Sequence, residues 1–346
     1  MSLISLFIFV ILALTLSSSA PIPSILTKNA PSKIISARAP KASSPKSLKR
    51  NPQTAPAVSS SPPSVSYQET LPFVGMTYSP YNPDGSCPDL QTVASQLTFL
   101  SKHTSSIRLY STDCNQLTNV LAAISQNSLP LKVHAGIWAS NGLDRANTEI
   151  DVLVAAAQNN AYSQIIADVS VGNEVIFNNL LTEDQVIALI NTTKQKLSAA
   201  GISIPVYTTE VDSKMTKNLA NACDLIQVNI QTFFDSNYSS IQNSVDQVFT
   251  RLDNIRTSVA NGKHCRIGEV GYPHAGQLGP QAGSIENKSQ YIQSFVCKAK
   301  NSGVTYFIFE ALDATWKAGS SVSEQSYGIF NRALTPNIAI PSLSSC

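Results

Sequence analysis

From about residue 70 onward, short runs of β-type residues alternate with longer runs whose apolar residues recur at helical spacing, and this alternation constrains the fold more than anything else in the chain. The strand-like runs are Phe73 to Tyr78, Ser106 to Tyr110, Leu131 to Trp138, Ile165 to Val171, Ile204 to Thr209, Leu225 to Ile230, Cys265 to Val270 and Val304 to Glu310. Between them lie amphipathic stretches such as Leu90, Val93, Leu97 and Leu100, then Leu117, Val120, Leu121 and Ile124, and the longer set Ile241, Val245, Val248, Leu252, Ile255 and Val259. Core packing accounts for all of these apolar positions. Eight strands alternating with helices over about 275 residues match a single α/β domain of the (β/α)8 TIM-barrel type. An open doubly wound sheet is the alternative, but the glycine-rich phosphate loop expected after its first strand is missing: Phe73-Val74-Gly75-Met76 runs into Thr77-Tyr78-Ser79-Pro80. A barrel also says where chemistry belongs, at the C-terminal ends of the strands.

The residues before the barrel read differently. Ile4 to Leu16 is an apolar run too short for a bilayer span, which needs ~20 residues, and it is followed by Ser17-Ser18-Ser19-Ala20. Residues 1–20 are therefore expected to be a cleaved secretory signal. Residues 21–68 hold nine prolines, many serines and no acid, a composition that cannot bury enough apolar surface to offset the entropy of ordering. They are expected to be a disordered basic propeptide or linker, with Lys49-Arg50 as a dibasic cleavage point, and the catalytic domain is expected to span 69–346. Charge follows the same division: residues 21–50 carry seven Lys or Arg, whereas residues 51–346 hold 17 basic against 22 acidic side chains. A mildly acidic domain of this kind lacks the basic excess of a nucleic-acid binder.

A secreted chain is expected to oxidise its cysteines. Cys87, Cys114, Cys223, Cys265, Cys297 and Cys346 show no metal-ligand spacing, and none of the four histidines supplies one, so no metal and no cofactor is expected. The barrel topology favours Cys87-Cys114 after adjacent strands, Cys223-Cys265 at the starts of adjacent strands, and Cys297-Cys346 tying down the C-terminus. Glycosylation sequons stand at Asn191, Asn237 and Asn287. With no apolar tail before Cys346, neither a lipid anchor nor a span in the mature protein is expected.

Two carboxylates close strand-like runs in Ser170-Val171-Gly172-Asn173-Glu174 and Ile267-Gly268-Glu269-Val270-Gly271-Tyr272-Pro273, after the fourth and seventh strands. Either alone reads equally well as a solvated loop residue. Together, on strands well apart around a closed ring, they converge on the axis. Paired carboxylates suit acetal cleavage, because one protonates the leaving oxygen while the other supports an oxocarbenium-like centre. Glu174 is assigned as acid/base and Glu269 as nucleophile, with Asn173 placed for the sugar 2-hydroxyl. No serine sits in a nucleophile-elbow motif, so a Ser-His-Asp mechanism has no support.

The chain resembles glycoside hydrolase family 17, in particular its fungal cell-wall β-1,3-glucanases and glucanosyltransferases. The resemblance rests on G-M-T-Y-S-P-Y at Gly75 to Tyr81, I-R-L-Y-S-T-D-C at Ile107 to Cys114, G-I-W at Gly136 to Trp138, V-G-N-E at Val171 to Glu174, G-E-V-G-Y-P at Gly268 to Pro273, and F-E-A-L-D-A-T-W-K at Phe309 to Lys317. It implies a retaining (β/α)8 enzyme, secreted or in the cell wall and monomeric, with β-1,3-glucan chains as donor and possible acceptor. One departure stands out: fungal relatives usually read D-E-P-W-K where this chain has Asp313-Ala314-Thr315-Trp316-Lys317. That loop lacks the acid and the proline that follow the Asp in the relatives, which motivates the rival reading of a catalytically weak glucan-binding or structural wall protein.

Sugar rings pack C–H faces on aromatics, so Trp138, Trp316, Tyr78, Tyr110 and Tyr272 are expected to line the substrate, with packing under loops as the alternative. Glu310, Asp313, Lys317 and Asp212 are expected to meet sugar hydroxyls. Asn229, inside the sixth strand, serves barrel packing equally well.

Overall fold

The computed structural model describes residues 71–235, 238–317 and 319–346. The expected signal, the basic segment with Lys49-Arg50, and the Asn237 sequon lie outside the described residues.

The strands in chain order are β1 (Met76–Thr77), β2 (Ser106–Arg108), β3 (Lys132–Ile137), β4 (Ile166–Asn173), β5 (Val206–Val211), β6 (Ile226–Asn229), β7 (Cys265–Val270), an outlying antiparallel hairpin of β8 (Gln277–Leu278) and β9 (Gln281–Ala282), and β10 (Tyr306–Ile308). All but the hairpin pair in parallel and close into a barrel in the order β1-β10-β7-β6-β5-β4-β3-β2. The eight expected strands are all present, and the (β/α)8 architecture is as the alternation implied. Their ends differ from the apolar runs. At β1, Phe73 makes only an isolated bridge to Thr104, and the backbone at Gly75 lies so close to the Phe307 ring that a Cβ would sit 2.5 Å from it.

Helices α1 (Leu90–Leu100), α2 (Gln116–Gln126), α3 (Leu143–Ala157), α4 (Asn160–Ser163), α5 (Glu183–Ala199), α6 (Lys217–Ala222), α7 (Ile241–Ser258), α8 (Ile285–Ser302) and α9 (Val322–Gln325) fill the connections. Several start where a short polar side chain can accept an otherwise orphaned N–H: Asp89 from Thr92, Ser240 from Asn243, Ser284 from Asn287. Thr182 and Gln185 cap α5 reciprocally. Each such cap contributes about 1 kcal/mol. The helical faces read from sequence are the buried ones, Val93, Leu97 and Leu100 on α1 and Val245, Val248, Leu252 and Ile255 on α7.

Inside the barrel, near the strands' N-terminal halves, lies a polar cluster rather than hydrocarbon. Arg266 Nη1 stands 2.9 Å from Asp168 Oδ2, and His134 Nδ1 stands 2.9 Å from Asp168 Oδ1. Tyr207 donates to Asp168 at 2.8 Å, and Arg266 Nε donates to Gln227 at 2.6 Å. Burial pushes the Asp168 carboxyl up, but the Arg266 and His134 charges outweigh it and hold the group well below the usual carboxylate range. This cluster forms the floor beneath the catalytic face.

Two disulfides form, Cys87–Cys114 between the loops after β1 and β2, and Cys297–Cys346 between α8 and the C-terminus. The expected third bond is absent: Cys223 and Cys265 are buried free thiols. The register explains why. Ile226, not Cys223, is the neighbour of Cys265 across β6 and β7. Cys223 ends α6 three residues earlier and is hydrogen-bonded by the Thr208 backbone, whereas Cys265 Sγ faces the Lys263 carbonyl at 3.5 Å.

Candidate active site

Both glutamates owe their positions to irregular strand ends. Between β4 and β5, Ser170 pairs with Tyr207 and Asn173 with Thr209, so β4 holds one residue more than its partner. Gly172 supplies the left-handed backbone this requires, with φ +84. Glu174 follows with φ 53, a conformation that is costly for a side-chain-bearing residue and must be held by its surroundings. Its N–H donates to the Thr209 carbonyl at 2.9 Å. In β7 the extra residue falls between Ile267 and Glu269 against β6, and between Ile267 and Val270 against β10. Gly268 occupies this bulge because a Cβ there would lie 2.7 Å from Asn229 Oδ1. Two bulges thus aim two carboxylates at the barrel mouth.

Glu269 is 6% exposed and accepts from three side chains. Tyr110 donates at 2.7 Å and Arg108 Nη1 at 3.2 Å to Oε1, and Gln231 donates at 3.3 Å to Oε2. Arg108, 1% exposed, also donates to the Gly268 carbonyl at 2.8 Å and to Asn173 Oδ1 at 2.7 Å. Its guanidinium carbon lies 4.7 Å from the Tyr110 ring centre. Glu174 has a sparser set: Asn229 Nδ2 donates to Oε1 at 2.7 Å and to Asn173 Oδ1 at 3.1 Å. Burial first, and the Glu269 charge second, push the Glu174 carboxyl up to about 8. One proton is therefore held between two carboxylates, on the one with fewer donors.

The other expected residues divide. Tyr110 and Asn173 belong to the constellation. Trp138 is half-buried after β3, its Nε1 donating to Asn141 at 2.7 Å. Trp316 packs 4.6 Å from the Tyr81 ring, and Lys317 reaches over the Phe309 and Trp316 rings and to Glu324 at 3.7 Å. Glu310 is buried, its Oε1 has no hydrogen-bond partner, and burial raises it to about 7.

Four expectations are corrected. Tyr78 is buried with its hydroxyl on Gln96, and Tyr272 is buried against Phe233 and Tyr291 with its hydroxyl on Gln281, so neither offers a ring to substrate. Asp212 is held in the fork of Arg251 from α7 and braces the turn after β5. Asp313 accepts from the Gly328 N–H at 3.0 Å and Asn337 at 2.8 Å and lies beside His274, bracing its own loop.

Sequence reasoning missed Arg108, Gln231 and Glu210, and left Asn229 undecided. Arg108 carried a usable signal: a charge inside an apolar run, two residues before Tyr110, faces the same side of a strand. Two surface cavities of about 280 and 360 Å³ lie elsewhere, one beside Lys217 and Thr257 and one beside Leu71 and Ile340. Both are near the strands' N-terminal ends and carry no carboxylate pair, so chemistry rather than volume assigns the site.

A parallel (β/α)8 barrel with glutamates closing its fourth and seventh strands defines a class, the barrel with a paired-carboxylate site. Residues 75–328 match the BtgE/BtgC glycoside hydrolase domain, and the chain belongs to that family. It is 28% identical over 298 residues to a putative glucan endo-1,3-beta-glucosidase, btgC, of Aspergillus niger, covering 78% of this chain and 43% of that protein. It is 30% identical over 256 residues to the probable family 17 glucosidase SCW10 of Saccharomyces cerevisiae, covering 73% of this chain and 63% of that protein. The chain thus spans less than two thirds of either relative. In fold it matches a glycoside hydrolase family 17 beta-1,3-glucanosyltransferase from Rhizomucor miehei with TM-score 0.70 and 24% identity, over 79% of this chain and 98% of that one. An active-site mutant of the Rhizomucor enzyme is known in complex with laminaritriose.

Proposed function

We propose that the chain is a retaining glycosidase of β-1,3-glucan that works through a covalent glycosyl-enzyme on Glu269. The observation carrying this reading is the asymmetry of the pair: Glu269 is held by Arg108, Tyr110 and Gln231, while Glu174 has a single side-chain donor and a raised pKa. In the first half-reaction Glu269 attacks the anomeric carbon as the glycosidic oxygen leaves with the Glu174 proton. Esterification removes the charge that helped to raise Glu174, so its proton affinity falls and it becomes the base of the second half-reaction. There it takes a proton from water, giving hydrolysis, or from a sugar hydroxyl, giving transfer. Asn173, whose Oδ1 accepts from both Arg108 and Asn229, is proposed to meet the sugar 2-hydroxyl. Trp138, Trp316 and Lys317 are proposed to meet the chain farther along.

The names of the relatives support the substrate, and the intact glutamate pair weighs against a mute binding module despite the substituted loop after the eighth strand. We further propose that residues 1–20 direct secretion to the wall. Among the described residues no helix is long and apolar enough to cross a membrane. Incubation with a long β-1,3-linked oligosaccharide, with products separated by size, tests the whole reading. Shorter products mark hydrolysis and longer ones transfer, and unchanged substrate would overturn the reading in favour of a binding protein.

A further inference from the structure

Glu210, in β5, takes no part in the mechanism above, yet it is fully buried. Its Oε1 accepts the Ile176 N–H at 2.8 Å and its Oε2 the Phe177 N–H at 3.2 Å, with the Val175 N–H as a further donor. These three amides directly follow Glu174, the residue held at positive φ. A carboxylate on one strand therefore grips the backbone of the loop that leaves the next, at the point where the strain must be contained.

We propose that Glu210 is a positioning residue that holds the Glu174 loop in its strained form and, through its charge, keeps the proton on Glu174. The inference rests on the acid/base reading of Glu174. The charged groups facing Glu174 are Glu269 from β7, Glu210 from β5 and Arg108 from β2. Burial pushes the Glu210 carboxyl itself up to about 7 against its backbone donors and Lys214 after β5, so its charge acts on Glu174 only above that pH, where the basic limb lies. Of these, Glu269 and Glu210 favour the protonated acid and Arg108 opposes it.

Two variants separate the clamp from the charge. Glu210→Gln keeps the shape, loses the charge and turns an amide N–H₂ toward the loop N–H groups. Glu210→Asp keeps the charge but shortens the reach. Both are expected to lower kcat on a β-1,3-linked oligosaccharide by on the order of 10- to 100-fold with KM little changed, the loss typical of a displaced catalytic group. Only Glu210→Gln should move the basic limb of the kcat/KM profile to lower pH. Near-normal kcat in both variants, or the same limb in Glu210→Gln as in wild type, would overturn the proposal. A shift also seen in Glu210→Asp would overturn the charge assignment. Carboxyl ¹³C titration of Glu174, assigned by its loss in Glu174→Gln, reads the same displacement without turnover. If the wild type proved inactive, the glycosidase reading would fail, and this titration would still decide whether Glu210 controls the proton.

Discussion

Arg266 in β7 and Arg108 in β2 are each 1% exposed inside the barrel, and each reaches a carboxylate. At the floor, Arg266 and His134 both face Asp168, Tyr207 donates to it as well, and its pKa falls. At the mouth, Arg108 is shared among Glu269, Asn173, Asn229 and the Gly268 carbonyl, and a second carboxylate stands nearby whose pKa rises. The residue types are alike; the charge balance is not. A floor with positive charge to match its single carboxylate is a structural element. A mouth with two carboxylates and one guanidinium must hold a proton, and a held proton can be given away.

Breaking the mouth should cost activity and little stability. Glu269→Ala is expected to lower turnover by on the order of 10⁴-fold or more, with the melting midpoint held or raised, and azide should restore turnover by forming the inverted glycosyl azide. Near-normal initial rates in that variant would sink the nucleophile assignment. Glu174→Gln should cost about 10²- to 10⁴-fold on natural glucan, the range for losing a general acid. An activated aryl glycoside, whose leaving group needs no proton, should be spared in the first half-reaction, and the basic limb of the profile should vanish. Equal losses on both substrates would contradict the acid role.

Breaking the floor should do the reverse. Arg266→Met strands a buried Asp168 charge and is expected to destabilise by about 3–5 kcal/mol in urea unfolding, with the folded fraction turning over near the wild-type rate. A stable but inactive Arg266→Met would erase the distinction between the two regions. The smallest effect lies in the pH dependence of stability. The folded-state pKa of Asp168 is depressed, so its contribution is present above the unfolded value near ~3.9 and is lost as pH falls below it. Glu174 has the opposite sign. Its raised pKa favours folding while it is protonated, and that contribution is lost as pH rises from the unfolded value of ~4.3 toward about 8. Glu174→Gln should therefore raise the melting midpoint at pH 8 and not at pH 4. Glu174 is only part-buried and solvent screens it, so about 2–4 °C is expected, the shift that ~1 kcal/mol gives in a domain of this size. An equal change at both pH values would contradict the linkage.

Much of this was legible in the chain. Eight strands could be counted because each carries a β-type apolar run, and the two glutamates stood out because each closes such a run beside a glycine. The supporting residues did not stand out. Arg108 and Asn229 lie within strands, where a polar residue reads as a solvent-facing alternate until closure of the barrel turns it inward, and Glu210, on the face opposite Tyr207 and Thr209, is explained only by the loop amides it meets in three dimensions. Tyr78 and Tyr272 were misplaced for a related reason. Whether a ring at a strand end faces substrate or core depends on local backbone direction, and the bulge in β7 is visible only in the pairing. Cys223 and Cys265 failed as a pair because a one-dimensional spacing does not report register.

The central claim is that Glu269 becomes esterified while Glu174 passes the proton. Incubating the protein with a 2-deoxy-2-fluoro β-1,3-linked oligosaccharide carrying a fluoride leaving group, followed by intact-mass measurement and peptide mapping, tests it most directly. The account predicts one glycosyl adduct per chain, on the peptide and side chain of Glu269. An adduct on Glu174, or inactivation without any adduct, would contradict it.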